Sequence, residues 1–342
     1  MFVKSIFMLF LIHTIPSPEA SPTPDNKIKL VIDHDGGADD ALAITMSILY
    51  EKYFNGPKVV GLTTCFGNVN LSQAIINSAR VLELCDRTDI PIYSGAEGTL
   101  ISDIPPDHFF GVDGFGDDGY THPESIPLQN VHAAIGLIEL SKRYRGKLIV
   151  IAIGPVTNLA LAIRLDPDFL GRLYHLYIGA GDIYSEQKPK AEFNIAMDPE
   201  AYYIVADSAV VDRVTFVPFS QIFYSLTISN EWREKVLGAI DTPMMKALNG
   251  FERVSFASAD QWILLDPAVA AIALDESIVD EFRDSKNGVL LCAQRGINTN
   301  NFTSTEPNSR VFYSASVSKY QQLLIDIYSA ELNDECEDTR DC

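Results

Sequence analysis

The chain is short of positive charge: 26 Lys and Arg stand against 46 Asp and Glu, a formal net charge of −20 over 342 residues. Phosphate recognition needs a basic surface, so nucleic acid and other polyanions are excluded as partners. What remains is a neutral small molecule, or one reached through a bound cation. The apolar run Ser5 to Ile12 is too short to span a bilayer. Preceded by Lys4 and followed by the small residue Ala20, it predicts a secretory signal peptide over residues 1–20, cleaved near Ala20, and a secreted protein free of the membrane. Cysteine is sparse, with five in all. Cys65, Cys85 and Cys292 sit in apolar patterns that predict buried thiols, while Cys336 and Cys342 can pair in a polar tail over 331–342. An odd count leaves at least one thiol unpaired or bridging chains. Tandem repeats, low-complexity blocks and long linkers are all missing.

A hydrophobic content of 47% supports one large domain, placed at 27–330, and a charged fraction of 21% argues against disorder. Short β-rich runs alternate with longer helical ones. Strands are predicted at 27–33, 58–65, 90–94, 147–153, 173–178 and 213–219, with helices at 38–51, 71–86, 131–144, 158–165 and 199–207. That alternation predicts an α/β fold with an open, mostly parallel, doubly wound sheet. Nearly continuous apolar strands such as Leu148 to Ile153 fit a sheet covered on both faces. Residues 96–130, rich in Gly, Asp and Pro, read as a functional lid. Residues 220–258 read as a helical insertion. GVLLCAQ (288–294) and RVFYSASV (310–317) predict a small antiparallel addition, closed by a helix over 318–328. Sequons at Asn70 and Asn301 permit glycosylation of an exported chain.

The chemistry concentrates in Asp33-His34-Asp35-Gly36-Gly37-Ala38-Asp39-Asp40, which follows the first strand. Open parallel sheets bind ligands at the carboxyl ends of their strands. One aspartate, or two, can be explained as a helix cap. Four carboxylates within eight residues repel unless a counter-charge is supplied, and a hard cation such as Ca²⁺ supplies it. An EF-hand is excluded, because Gly37 stands where a ligand is needed and no glutamate closes the loop. A phosphatase of the haloacid-dehalogenase type, which Asp33-His34-Asp35-Gly36 imitates, is disfavoured by Gly37 and by the repulsion of phosphate from Asp39-Asp40.

The segment LVIDHDGGADDALAI (30–44) resembles the DxDxGxDDAxA signature of the inosine-uridine nucleoside hydrolase family. Thr63 to Asn68, Ile153 to Ala160, Ala191-Glu192-Phe193-Asn194 with Asp198-Pro199-Glu200-Ala201, and Asp266-Pro267 resemble its further motifs, in family order. The resemblance implies hydrolysis of the N-glycosidic bond of ribonucleosides to ribose and free base, with bound Ca²⁺, in a homodimer or homotetramer. It implies that Asp35, Asp40, Asp266 and the carbonyl of Ile153 ligate the metal, and that Asp35 is the general base. Asp39, Asn194 and Asp266 would bind the ribose 2′- and 3′-hydroxyls, and Glu192 the 5′-hydroxyl. Asn68 would orient Asp35 or the sugar, and Asp33 would support the ligands from behind.

Two departures concern the leaving base. Leu265 stands where some members carry a histidine before Asp-Pro, and Phe110 stands in place of a lid histidine, with His108 nearby. Glu186 stands where an asparagine is common. Purine-specific relatives stack the base between aromatics instead, so a purine-leaning specificity is expected, with Phe110, Phe115, Phe193, Tyr184 and Trp262 as candidates. The incomplete catalytic set also leaves a secreted nucleoside- or ribose-binding protein as the alternative.

Overall fold

The computed structural model describes residues 26–338 apart from 103, 121, 122, 185, 186, 188 and 189, with side chains to residue 332. The predicted leader, Glu186 and the side chains of Cys336 and Cys342 lie outside the described residues. Six strands run in parallel in the order expected from their apolar runs: β1 (Lys29–His34), β2 (Lys58–Thr64), β3 (Ile92–Ser94), β4 (Leu148–Ala152), β5 (His175–Gly179) and β6 (Val214–Val217). A short antiparallel pair, β7 (Ile228–Ser229) and β8 (Gln261–Trp262), stands apart. The chain then returns to the main sheet as β9 (Val279–Val289), β10 (Asn298–Asn301) and β11 (Ser309–Ala315), giving nine strands in the order β10-β9-β11-β6-β5-β4-β1-β2-β3.

Side chains alternate across each strand, so the sheet feeds two cores. Leu30, Ile32, Ile149 and Ile151 face one core, built with the helices Ala38–Tyr53, Leu265–Leu274 and Val317–Asp338. Val31, Leu148, Val150 and Ala152 face the other, built with Ala133–Arg143, Thr157–Leu165 and Pro199–Ser208. This is the doubly wound α/β architecture that the alternation predicts. Among the described residues, no helix is long and apolar enough to cross a membrane.

The C-terminal part corrects the expected strand bounds. The small antiparallel addition is there, and it extends the main sheet: β9 pairs antiparallel with both β10 and β11, and β11 joins β6 in parallel. Only Gly288 and Val289 of GVLLCAQ lie in a strand; Leu290 and Leu291 are exposed, and so is Cys292, which is not the buried thiol expected. The strand itself is VDEFRDSKNGV, whose charges hide it from a hydrophobicity pattern. The last helix extends to Asp338, through residues whose composition suggests a tail.

What matters for function is the reversal of winding. From β1 the chain steps to β2 and β3 on one side, then crosses back to lay β4, β5 and β6 on the other. The carboxyl ends of β1 and β4 therefore border a crevice, the switch point at which such sheets bind ligands.

Candidate active site

β1 delivers the aspartates to that crevice. Asp33 lies opposite Thr63 of β2 and Ala152 of β4. Its Oδ1 accepts hydrogen bonds from Thr63 Oγ1 (2.5 Å) and Asn158 Nδ2 (2.8 Å), which tie three elements together behind the pocket. Gly36 then turns the chain at φ +86°, where a Cβ would meet Ala74 Cα at 2.7 Å, so only glycine fits. The helix Ala38–Tyr53 begins at once, and Gly37 N donates to Asp40 Oδ2 at 2.6 Å. Asp39 and Asp40 sit in its first turn, where the helix dipole favours negative charge. Asp266 enters from the first turn of the helix Leu265–Leu274.

Asp35 is held by the backbone of the second motif. Asn68 N donates to its Oδ2 at 2.8 Å, while Asn68 Nδ2 reaches Asp107 Oδ1 of the lid at 3.1 Å. Gly154 closes from the other side; a Cβ there would lie 3.0 Å from that of Asp35. Asn194 Nδ2 donates to the carbonyl oxygens of Ile153 (3.1 Å) and Gly179 (2.8 Å), fixing the carbonyl that borders the crevice.

Asp35, Asp39, Asp40 and Asp266 are all buried. Carboxylate oxygens of Asp39, Asp40 and Asp266 lie within 4.8 Å of one another. At that spacing and an effective dielectric of ~20, each ionised pair repels by roughly 3.5 kcal/mol, and three pairs by about 10 kcal/mol. That equals the whole stability of a typical domain, about 5–15 kcal/mol. Burial, with the neighbouring carboxylates behind it, pushes Asp35, Asp39 and Asp266 well above the usual carboxylate range and Asp40 up to about 8. Asp33 rises to about 7 through burial.

His34 supplies no counter-charge: burial lowers it to about 3, and its Nδ1 stands 3.8 Å from Asp40 Oδ1. Buried oxygens of Asp39 and Asp40 lack any hydrogen-bond donor. Convergent, unpaired, hard oxygen donors fit a divalent cation such as Ca²⁺. The tightest trio contains Asp39, where the family resemblance names Asp35.

The cluster opens on a cavity of about 380 Å³. The residues expected to bind substrate, Asp39, Asn68, Glu192, Asn194, Asp266 and Phe110, all line it, together with Asp35 and Ile153. Asp33 does not, and stays behind the wall. Glu192 caps the helix Phe193–Met197, its carboxylate accepting from the backbone N–H groups of Gly181, Asn194 and Ile195.

Among the aromatic candidates, Phe110 and Phe193 line the cavity. The others are elsewhere. Phe115 stacks on Phe251 with centroids 4.3 Å apart, in the core. Trp262 is buried with its Nε1 donating to Glu252 Oε1, and Tyr184 is exposed. His108 is not among the lining residues; Leu265 is. Asp107, Phe109, Asp182, Phe219 and Ile263 also line the cavity; Asp107 and Phe109 fall in the segment read as a lid, while nothing in sequence spacing marks Asp182, Phe219 or Ile263.

A cluster of aspartates at the switch point, opening on a cavity with an apolar side, is matched across the chain by one family, the inosine-uridine preferring nucleoside hydrolases, over residues 30–322. The chain belongs to this family. Among curated relatives, the probable uridine nucleosidase 2 of Arabidopsis thaliana is 38% identical over 184 residues, which is 52% of this chain and 55% of that protein. The matched stretch thus spans about half the length of such relatives. Among solved structures, a plant nucleoside hydrolase superposes with a TM-score of 0.78 at 26% identity, covering 89% of this chain and 99% of the other. An inosine-guanosine nucleoside hydrolase gives 0.79 at 25% identity, covering 88% and 98%. Within this chain, the first and last of the motifs that carry the resemblance meet at the cavity: residues 30–44 form most of β1 and the start of the following helix, and Asp266 enters from the helix Leu265–Leu274.

Proposed function

We propose that this protein hydrolyses the N-glycosidic bond of ribonucleosides, releasing ribose and free base, with Ca²⁺ in the aspartate cluster. One observation carries the reading: four buried carboxylates, two with oxygens lacking donors, converge beside a cavity of nucleoside size. Asp35, Asp40, Asp266 and the Ile153 carbonyl would hold the ion, with Asp39 beside them. Bound there, a hard cation anchors vicinal hydroxyls and makes water a better nucleophile.

The residues do the rest. Asp39, Asn194 and Asp266 accept or donate to the 2′- and 3′-hydroxyls, and Glu192 takes the 5′-hydroxyl. Asp35, fixed by Asn68 N, accepts a proton from the water that attacks C1′. The N-glycosidic bond breaks as the new C–O bond forms, and the surrounding carboxylates stabilise the oxocarbenium-like charge. The departing base takes up a proton. No histidine lines the cavity among the described residues. A base held by Phe110 and Phe193 against Ile263 and Leu265 fits purines, whose larger ring face gains more from such contacts.

The same lack of an acid favours the second reading, a protein that binds ribonucleosides without cleaving them. Base release from inosine, adenosine, guanosine and uridine separates the two: rapid purine release supports the reading. Equal rates on uridine and inosine would remove the purine preference, and calcium-dependent binding without release would favour the binding protein. Export after removal of residues 1–20, glycosylation at the exposed Asn70 and Asn301, and assembly into homodimers or homotetramers belong to the same proposal.

A further inference from the structure

The lid meets the aspartate cluster at Asn68, a buried residue that lines the cavity. Two hydrogen bonds of opposite sense tie them. Asn68 Nδ2 donates to Asp107 Oδ1 at 3.1 Å, and His108 N donates to Asn68 O at 3.1 Å. His108 takes φ +53°, a left-handed turn that few residues other than glycine adopt. Just beyond it, Phe109 N donates to the same Asp107 Oδ1 at 3.0 Å. Asn77 Nδ2 secures the lid further along, donating to Gly36 O at 2.7 Å and to Asp113 O at 2.8 Å.

A second carboxylate competes for the Asn68 amide. A Cβ on Gly37 would overlap Asn68 Oδ1 outright and lie 2.9 Å from Asp39 Oδ1, so the two oxygens stand on the same side of Gly37. Asp39 Oδ1 is buried and has no hydrogen-bond donor. A carboxylate only accepts, whereas an amide has a donating end and an accepting end. Flipped, the Asn68 amide would turn its nitrogen toward Asp39 and its oxygen toward Asp107, where two acceptors would repel. Asp107 therefore selects the orientation in which the nitrogen points to the lid.

We propose that Asp107 is a positioning residue: it keeps the amide nitrogen of Asn68 off Asp39 and leaves the Asp39 carboxylate free for the substrate. This rests on the nucleoside reading above. Asp107 acts through Asn68, and what it must supply is an acceptor. Asp107→Asn retains one, because Phe109 N fixes the oxygen end of the new amide at the same place. Asp107→Ala does not.

The test is a double-mutant cycle on kcat/KM for the ribonucleoside cleaved fastest, with calcium-replete wild type, Asp107→Ala, Asn68→Ala and the double variant, and with Asp107→Asn beside them. A hydrogen bond to a charged acceptor supports roughly 10-fold or more. Asp107→Ala should lower kcat/KM by about 10-fold in the wild-type background and by less than about twofold once Asn68 is alanine. Asp107→Asn should stay within about threefold of wild type, a rescue that loss of the carboxylate charge alone does not allow.

Losses that multiply in the double variant would show that Asp107 acts independently of Asn68 and would overturn the proposal. So would an Asp107→Asn enzyme as slow as Asp107→Ala, or an Asp107→Ala enzyme as fast as wild type. If wild type releases no base, the proposed function has failed, and the side-chain amide resonances of Asn68 in the ¹⁵N-labelled protein decide the inference alone. They should move in Asp107→Ala and stay in place in Asp118→Asn, whose carboxylate pairs with Arg80 away from the cavity; unmoved resonances in Asp107→Ala would overturn it.

Discussion

Replacing Gly67 by alanine tests whether Asp35 must stand where it does. A Cβ on Gly67 would lie 2.5 Å from Asp35 Cγ and 2.7 Å from Asp35 Cβ. The same Cβ would overlap Asp35 Oδ2 outright, and real contacts of this kind need more than 3 Å, so the carboxylate has to shift by more than about an ångström. Gly67 has no left-handed φ, so the alanine strains nothing in its own backbone. Asp35 has little room, since Gly154 closes on its other side and Asn68 N holds its Oδ2.

Yielding breaks that bond, a charge-assisted one that contributes about 1.5–3 kcal/mol. A displacement near 1 Å at the reacting group costs on the order of 10²-fold in rate. Gly67→Ala should thus lower kcat by about 10²-fold and weaken calcium binding, measured by steady-state kinetics and calorimetry. Gly171→Ala, where a Cβ meets nothing within 4 Å, serves as the control and leaves both unchanged. A Gly67→Ala enzyme within threefold of wild type in kcat would refute the reasoning.

Removing the metal should lower the melting temperature, because the buried carboxylates lose the ion that offsets their repulsion; a chelated protein that melts no earlier than the calcium-loaded one would contradict the site. His175 gives a pH test far from the cluster. Burial lowers it from 6.5 to about 4, and its Nε2 contacts Thr215 Oγ1 at 2.8 Å. The unfolded chain takes up the proton first, so the contribution of His175 is complete above pH 6.5 and is lost as pH falls toward 4. His175→Gln should flatten the melting temperature over that window relative to wild type, and an equally steep acid limb in both proteins would count against it.

Much of the sheet was legible because buried parallel strands are apolar almost throughout, as in Leu148 to Ala152. β9 was not, since Val279 to Val289 lies near the sheet edge and carries charges on its open positions. The aspartate cluster was legible because four carboxylates at the end of a strand have no plain structural explanation. Its partners across the cavity were harder. Asp182 and Asn298 lie 116 residues apart and meet only because β10 and the end of β5 are brought together by the fold. Phe115 and Trp262 looked like Phe110 by residue type, yet one stacks on Phe251 and the other bonds to Glu252, and nothing in local spacing separates a core aromatic from one that lines a pocket.

The central claim is that the aspartate cluster holds a cation and that Asp35 moves a proton for glycosidic cleavage. Its most direct test is release of free base from a ribonucleoside by calcium-loaded wild type and calcium-loaded Asp35→Asn, with calcium binding measured on both. The account predicts release by wild type, abolished by chelation, and a rate lower by at least about 10²-fold in Asp35→Asn even where calcium saturates it. Equal release by the two proteins, or release untouched by chelation, would contradict it.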